Sequence, residues 1–201
     1  MRRRCLYWGL AFGLAAICVA PAAWSQSQPS MRVRGTIEKV DGQTLTVKSR
    51  DGESLTIKVA DNARVTMAVT VPLSELKLNS YVAITAMPQP DGSQKAIEVM
   101  IFPEALRGTG EGHGPWDLRP QSTMTNATVT DVVTGVEGEV LTVKFKDQEK
   151  KIIVPAGAAV ITVKPVDKSE LKPGAKIFIF SAQKQPDGTL QATSITIGRD
   201  S

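Results

Sequence analysis

The stretch Thr44-Leu45-Thr46-Val47-Lys48-Ser49-Arg50-Asp51-Gly52-Glu53-Ser54-Leu55-Thr56-Ile57-Lys58-Val59 holds two alternating runs around an Asp-Gly pair. In the first run Leu45 and Val47 alternate with Thr44, Thr46 and Lys48. In the second, Leu55, Ile57 and Val59 alternate with Thr56 and Lys58. Side chains of a strand point to opposite faces in turn, so a period of two in apolar residues marks a half-buried strand. Asp-Gly suits the tight turn of a hairpin. The same alternation continues through Val65, Met67, Val69 and Val71, then Val82 and Ile84, then Ile97, Val99 and Ile101. No segment sustains a helical period.

The pattern occurs twice. Leu45-Thr46-Val47-Lys48 returns as Leu141-Thr142-Val143-Lys144, Ser74-Glu75-Leu76-Lys77 as Ser169-Glu170-Leu171-Lys172, and Gln89-Pro90-Asp91-Gly92 as Gln185-Pro186-Asp187-Gly188. Order and spacing are kept with one single-residue gap, which marks an internal duplication. The second copy keeps Glu137-Gly138 and Asp187-Gly188 as turns and has Asp147-Gln148 between them. Leu171-Lys172-Pro173-Gly174 leads into Ala175-Lys176-Ile177-Phe178, with Gly174 as the left-handed residue. Its counterpart is Asn79, the best non-glycine substitute for that conformation. Six short strands in about 70 residues with such a turn after the fourth predict a small barrel. A two-sheet sandwich is the competing arrangement. The expected fold is therefore all-β, with two tandem small OB-like barrels at residues 31–103 and 127–199. Domains of this size bury little core, and no disulfide is on offer, so the copies are expected to pack on each other.

The N-terminus has a different character. Arg2, Arg3 and Arg4 precede an uncharged apolar run from Leu6 to about Ala20, followed by Pro21-Ala22-Ala23-Trp24-Ser25. A cationic start, a short apolar core and small residues at the end form a secretory signal. Cleavage is expected after Ser25, with Ala22 or Ala23 as other sites, making 1–25 the signal peptide. An uncleaved anchor fits less well, because the run is shorter than the roughly 20 residues that span a bilayer. Cys5 and Cys18 both lie inside this segment, and Ile17 before Cys18 is too large for a lipoprotein signal. The expected mature chain thus has no thiol, no disulfide and no cysteine metal site. Losing three arginines from 24 leaves 21 basic against 20 acidic residues. That near-neutral balance gives no electrostatic ground for nucleic acid or an anionic membrane as partner.

Arg34-Gly35-Thr36-Ile37-Glu38-Lys39-Val40, Leu45-Thr46-Val47 and the Leu-Lys-Pro-Gly turn resemble a family of exported bacterial proteins built from small OB-like barrels of unknown function. Gly110-Glu111-Gly112-His113-Gly114-Pro115-Trp116-Asp117-Leu118 is similar to a segment of tandem members that carry a metal-transporter permease label. That label does not suit a mature chain without a span that could cross a membrane. A weaker similarity leads to small periplasmic copper chaperones of efflux systems. Their histidine, tryptophan and methionine pair are not matched here. Only Met67 falls near the pair, in phase with Val65 and Val69 and read as packing, with Val163 as its counterpart.

Residues 104–126 are read as a glycine-rich linker, and they hold the chemically distinctive side chains. His113 is the single histidine of the chain, and Trp116 the single tryptophan that remains after cleavage. On one reading Trp116 and Leu118 staple the two barrels together. On the other, Glu111, His113, Trp116 and Asp117 form a patch for a ligand or partner, aromatic anchors being common in such patches. A transition metal near His113 is a third possibility, with Met124 as a soft donor; one histidine plus carboxylates is a weak donor set. No nucleophile elbow, phosphate loop, dinucleotide fingerprint or metalloprotease helix is present, so no catalytic residue and no cofactor are expected. A fold does not fix a function. Two functions stay open: a non-enzymatic periplasmic or secreted structural or interaction protein docking an envelope partner, and a periplasmic metal-handling accessory using the linker.

Overall fold

The computed structural model describes residues 29–135 and 138–199. The expected signal peptide at 1–25, and Glu137 of the expected Glu137-Gly138 turn, lie outside them. The regular structure is β-strand plus three single-turn 3-10 segments at Leu73–Glu75, Glu104–Leu106 and Lys168–Glu170. The strands of the first copy are β1 (Ser30–Asp41), β2 (Thr44–Ser49), β3 (Ser54–Thr70), β4 (Tyr81–Pro88) and β5 (Gln94–Ile101). β6 (Gly112–Pro115) lies between the copies. The second copy gives β7 (Thr123–Gly135), β8 (Gly138–Phe145), β9 (Gln148–Val154), β10 (Ala159–Pro165), β11 (Lys176–Lys184) and β12 (Leu190–Ile197). The two runs quoted first form β2 and the start of β3, paired Thr44 to Lys58 through Lys48 to Ser54. The runs read as separate third and fourth strands of the first copy are one strand, β3. Among the described residues no helix is long and apolar enough to cross a membrane.

The strands close, but not in the order of a tandem pair. One circuit runs β12-β11-β1-β2-β3 and returns to β12. The other runs β5-β4-β7-β8-β9 and returns to β5. Each copy therefore gives three strands to one barrel and its last two to the other. The expected barrels at 31–103 and 127–199 are corrected accordingly: the duplication is sequential, the closed units are exchanged. The cores follow the circuits. Val33, Leu45, Ile57, Ile177, Ile179 and Ile195 are buried together in the first, and Val82, Ile84, Val99, Leu141, Val143 and Ile152 in the second.

The exchange is made at one crossing. The second half of β3 pairs antiparallel with β10, from Ile161 opposite Thr70 to Pro165 opposite Thr66, with Val163 facing Ala68 at the centre. The two copies here correspond at a spacing of 95, so each segment pairs with its own duplicate, as in a two-fold dimer interface. Met67 thereby matches Thr162 rather than Val163. Ala83, Met100, Ile161 and Val163 form a third apolar cluster at this junction. Backbone bonds flank the crossing symmetrically: Val71 N–H donates to the Val160 carbonyl at 2.9 Å, and Val166 N–H to that of Val65 at 3.0 Å.

Past the crossing, each copy enters the opposite barrel through the turn singled out in the sequence. Gly174 has φ 86° and Asn79 φ 64°, both left-handed. The Gly174 N–H donates to the Ile37 carbonyl of β1 at 2.7 Å, and the Asn79 N–H to the Val129 carbonyl of β7 at 2.8 Å. Leu171 and Leu76, just before these turns, are buried in the first and second cores respectively. Because both cores need strands from both copies, the chain is expected to unfold in one calorimetric transition. Leu141→Ala should lower that whole transition by ~2–5 kcal/mol. Two separable transitions, with only one shifted, would contradict the exchange.

Candidate functional site

β1 carries Val33 and Ile37 inward, so Arg32 and Arg34 project from the outer face of the first barrel. On its neighbour β11, Ile177 and Ile179 are inward, leaving Phe178 and Phe180 on that same outer face, with Arg34 directly opposite Phe178. The segment after β6 lies against them. Trp116 is held by its N–H to the Ser122 carbonyl at 2.8 Å, and the Ser122 hydroxyl donates back to the Trp116 carbonyl at 3.0 Å.

The result is a ladder of rings and guanidiniums. Trp116 meets Phe178 edge-on at 6.2 Å and stacks on Phe180 at 6.1 Å. The Arg32 guanidinium lies 4.2 Å from the Trp116 ring centre and 5.3 Å from that of Phe180. Arg34 and Arg199 lie 4.3 and 5.1 Å from Phe178. Each such contact contributes on the order of 0.5–2 kcal/mol, more where water is excluded. Trp116 is buried, with 8% of its surface exposed, whereas Phe180 is 60% exposed.

Two ion pairs flank the ladder. Arg34 donates to Asp117 at 3.1 Å, and Arg32 approaches the same carboxylate at 3.6 Å. Arg199 donates twice to one Glu98 oxygen, at 2.8 and 3.1 Å, and both side chains are only 6% exposed. Glu98 belongs to the second barrel and Arg199 follows β12 of the first, so this pair ties the barrels together. Burial pushes the Glu98 carboxyl up, even against the charges of Arg199 and Arg34. Burial also raises Asp117, but the Arg34 hydrogen bond and the charges of Arg34 and Arg32 outweigh it and hold this carboxyl below its usual range. Arg34 is pushed down, first by burial and then by Arg199 and Arg50, with Asp117 opposing.

The four residues expected to form a patch divide between the barrels. The Glu111 carboxylate accepts the Lys146 N–H at 2.7 Å on the second. There the His113 Nδ1 lies 2.8 Å from the Thr125 hydroxyl, and its ring stacks 6.1 Å from Phe145. Burial and Lys150 lower the His113 pKa, favouring neutral imidazole. Trp116 and Asp117 lie on the first barrel. A cleft of about 440 Å³ joins Glu111, His113 and Trp116 with Arg32, Met124 and Phe180. Asp117 does not line it. Part of the expected glycine-rich linker is strand β6, with Gly112 to Pro115 paired to Asn126 to Thr123. The second copy starts at β7, four residues before the expected boundary. Among the described residues no three His, Cys, Asp or Glu side chains gather as a metal site.

The opening of the first copy can now be placed. Residues 34–100 match a family described as a domain of unknown function (DUF5666). The matched span begins at Arg34 on β1 and ends inside β5, so it takes in strands of both barrels. No curated protein and no solved structure matches the chain.

Sequence reading found Trp116 and Asp117 but missed their partners. The signal was available in Arg32-Val33-Arg34 and Phe178-Ile179-Phe180, each with its distinctive side chains two apart. What could not be read was that these strands, from different copies, are neighbours. Asp117→Asn leaves the buried Arg34 without its counter-charge and should cost about 1–2 kcal/mol at pH 7, Asp117 being partly open to solvent. Because Asp117 titrates lower folded than unfolded, its contribution is present above about pH 4 and lost as the pH falls further. Thermal melts should therefore show the gap between wild type and Asp117→Asn closing toward pH 3; a gap independent of pH would contradict the pairing.

Proposed function

We propose that this is a non-enzymatic interaction protein of the bacterial envelope, exported by the N-terminal segment, and that its OB-like barrels present the Trp116 seam to a protein partner. One observation carries the reading: Phe180, 60% exposed, stands at the open end of the ladder, stacked on the buried Trp116 with Arg32 beside both rings. A large apolar ring held in place by a rigid cation–aromatic stack enters a partner at small entropic cost, and Trp, Tyr and Arg dominate binding hot spots. The cleft beside it supports this, since it combines aromatic walls with Arg32 and Glu111. A photo-crosslinking residue in place of Phe180 should give a discrete adduct in the cell envelope. The same residue in place of Val133, which is also exposed but on the second barrel, should give none. No adduct from either position, or equal smears from both, would overturn the reading.

A metal-handling role is the second reading, favoured by one observation: His113, Glu111 and Met124 line the same cleft. It predicts a saturable rise in melting temperature on adding copper or zinc ions, lost in His113→Ala. A flat response in both proteins would remove it.

A further inference from the structure

The two barrels allow an internal comparison at one place. Thr36 is paired with Lys176 and Lys48 in the first barrel, and Thr128 with Tyr81 and Lys144 in the second. Lys176 thus corresponds to Tyr81, Arg34 to Asn126 and Arg50 to Lys146. In the second barrel this position is covered by the chain's own linker. The Tyr81 hydroxyl and the Asn126 amide both donate to the Thr109 carbonyl at 3.1 Å, and Glu111 takes the Lys146 N–H at 2.7 Å. A neutral pair and one backbone N–H therefore hold a turn segment of the linker that leads to a carboxylate.

In the first barrel the equivalent position is a pocket of about 400 Å³, lined by Arg34, Lys48, Arg50, Lys176 and Arg199, with Gly35 in its wall. No carboxylate among the described residues lines it. A Cβ on Gly35 would collide with the Lys48 carbonyl, so the backbone there is kept close and smooth. Arg34 is 8% exposed in its side chain, and its Nε and Nη1 have no hydrogen-bond partner. Its single acceptor, Asp117, is used through Nη2. Asp117 and Glu98 already face Arg34 and Arg199, but the exposed Lys48 and Arg50 on this concave wall have no carboxylate partner among the described residues, and their positive potential favours an anion there.

We propose that this pocket binds an acidic peptide segment of a partner protein, its Asp or Glu side chain meeting the side chains of Lys48 and Arg50 beside Arg34. The pocket shares no lining residue with the aromatic cleft, so its test stands apart from that of the seam. Charge-assisted contacts to planar guanidiniums favour carboxylate oxygens strongly, and the second barrel shows that the site's shape accepts main chain.

The test is fluorescence anisotropy on the full chain. The probe is a fluorescein-labelled peptide Gly-Thr-Gly-Glu-Glu-Gly-Thr-Gly, and its control replaces both Glu with Gln. Saturable binding is expected, weakened about tenfold or more in the Gln peptide, in Arg50→Gln and in Lys48→Gln. Both substituted side chains are exposed, so folding should survive. Lys146→Gln, on the covered barrel, should leave the affinity unchanged, as should removal of residues 200–201. Equal binding of the two peptides, or indifference to Arg50→Gln, would overturn the proposal. Displacement by inorganic phosphate at the peptide's own concentration would make this an oxyanion site and overturn the peptide. A large gain on removing residues 200–201 would place the chain's own end there and overturn it equally.

Discussion

The antiparallel crossing of β3 with β10 is the constraint on which the rest of the molecule depends. Its register, centred on Ala68 and Val163, sends the end of each copy to the other barrel. A shift of one residue would turn every side chain of the crossing to the opposite face, exposing Ile161 and Val163 and burying Thr162 and Lys164. The turns that follow have no freedom of their own. Asn79 and Gly174 must reach carbonyls of β7 and β1, and these strands are neighbours only because the crossing has already been made.

Charge follows from that geometry. Bringing β11 beside β1 sets two phenylalanines against two arginines on an outer face that would otherwise be ordinary surface. The second barrel, built by the same rule, has Met124 and Asn126 at the corresponding positions of β7 and is covered by β6 and the linker instead. Duplication thus gave one scaffold two outer faces. One is closed by the chain's own glycine-rich segment, and the other is left cationic and aromatic. Asp117 and Glu98 balance the two most buried guanidiniums, and Lys48 and Arg50 stand exposed at the open pocket.

Much of this was legible from residues alone. The period-two runs located nearly all the strands, and the Leu-Lys-Pro-Gly turn with its Asn79 counterpart was read down to its left-handed residue. The connectivity was not legible, because an exchanged and an unexchanged barrel bury the same residues in the same phase; Ile177 is a core residue whichever β1 it packs beside. The spacing of the copies also misled at one end. Thr36 faces Lys48 while Thr128 faces Lys144, a spacing of 92 on one strand and 96 on the next, since the β7–β8 hairpin is four residues longer. That insertion hid the match of Arg34 with Asn126, and with it the contrast between the two outer faces. Glycines at 108, 110, 112 and 114 suggested an irregular linker, and only cross-strand pairing with β7 makes a strand of residues that have little intrinsic tendency to form one.

The exchanged order of strands also sets the timing of assembly. β1, β2 and β3 are the first strands made, yet their barrel closes only when β12, ending at Ile197, arrives. Until then their edges are unpaired templates for any other extended chain. The nascent molecule is therefore a long-lived open form whose contacts span nearly its whole length, and chains of that kind fold slowly. It reaches the native state only once the last tenth of the sequence is free to move.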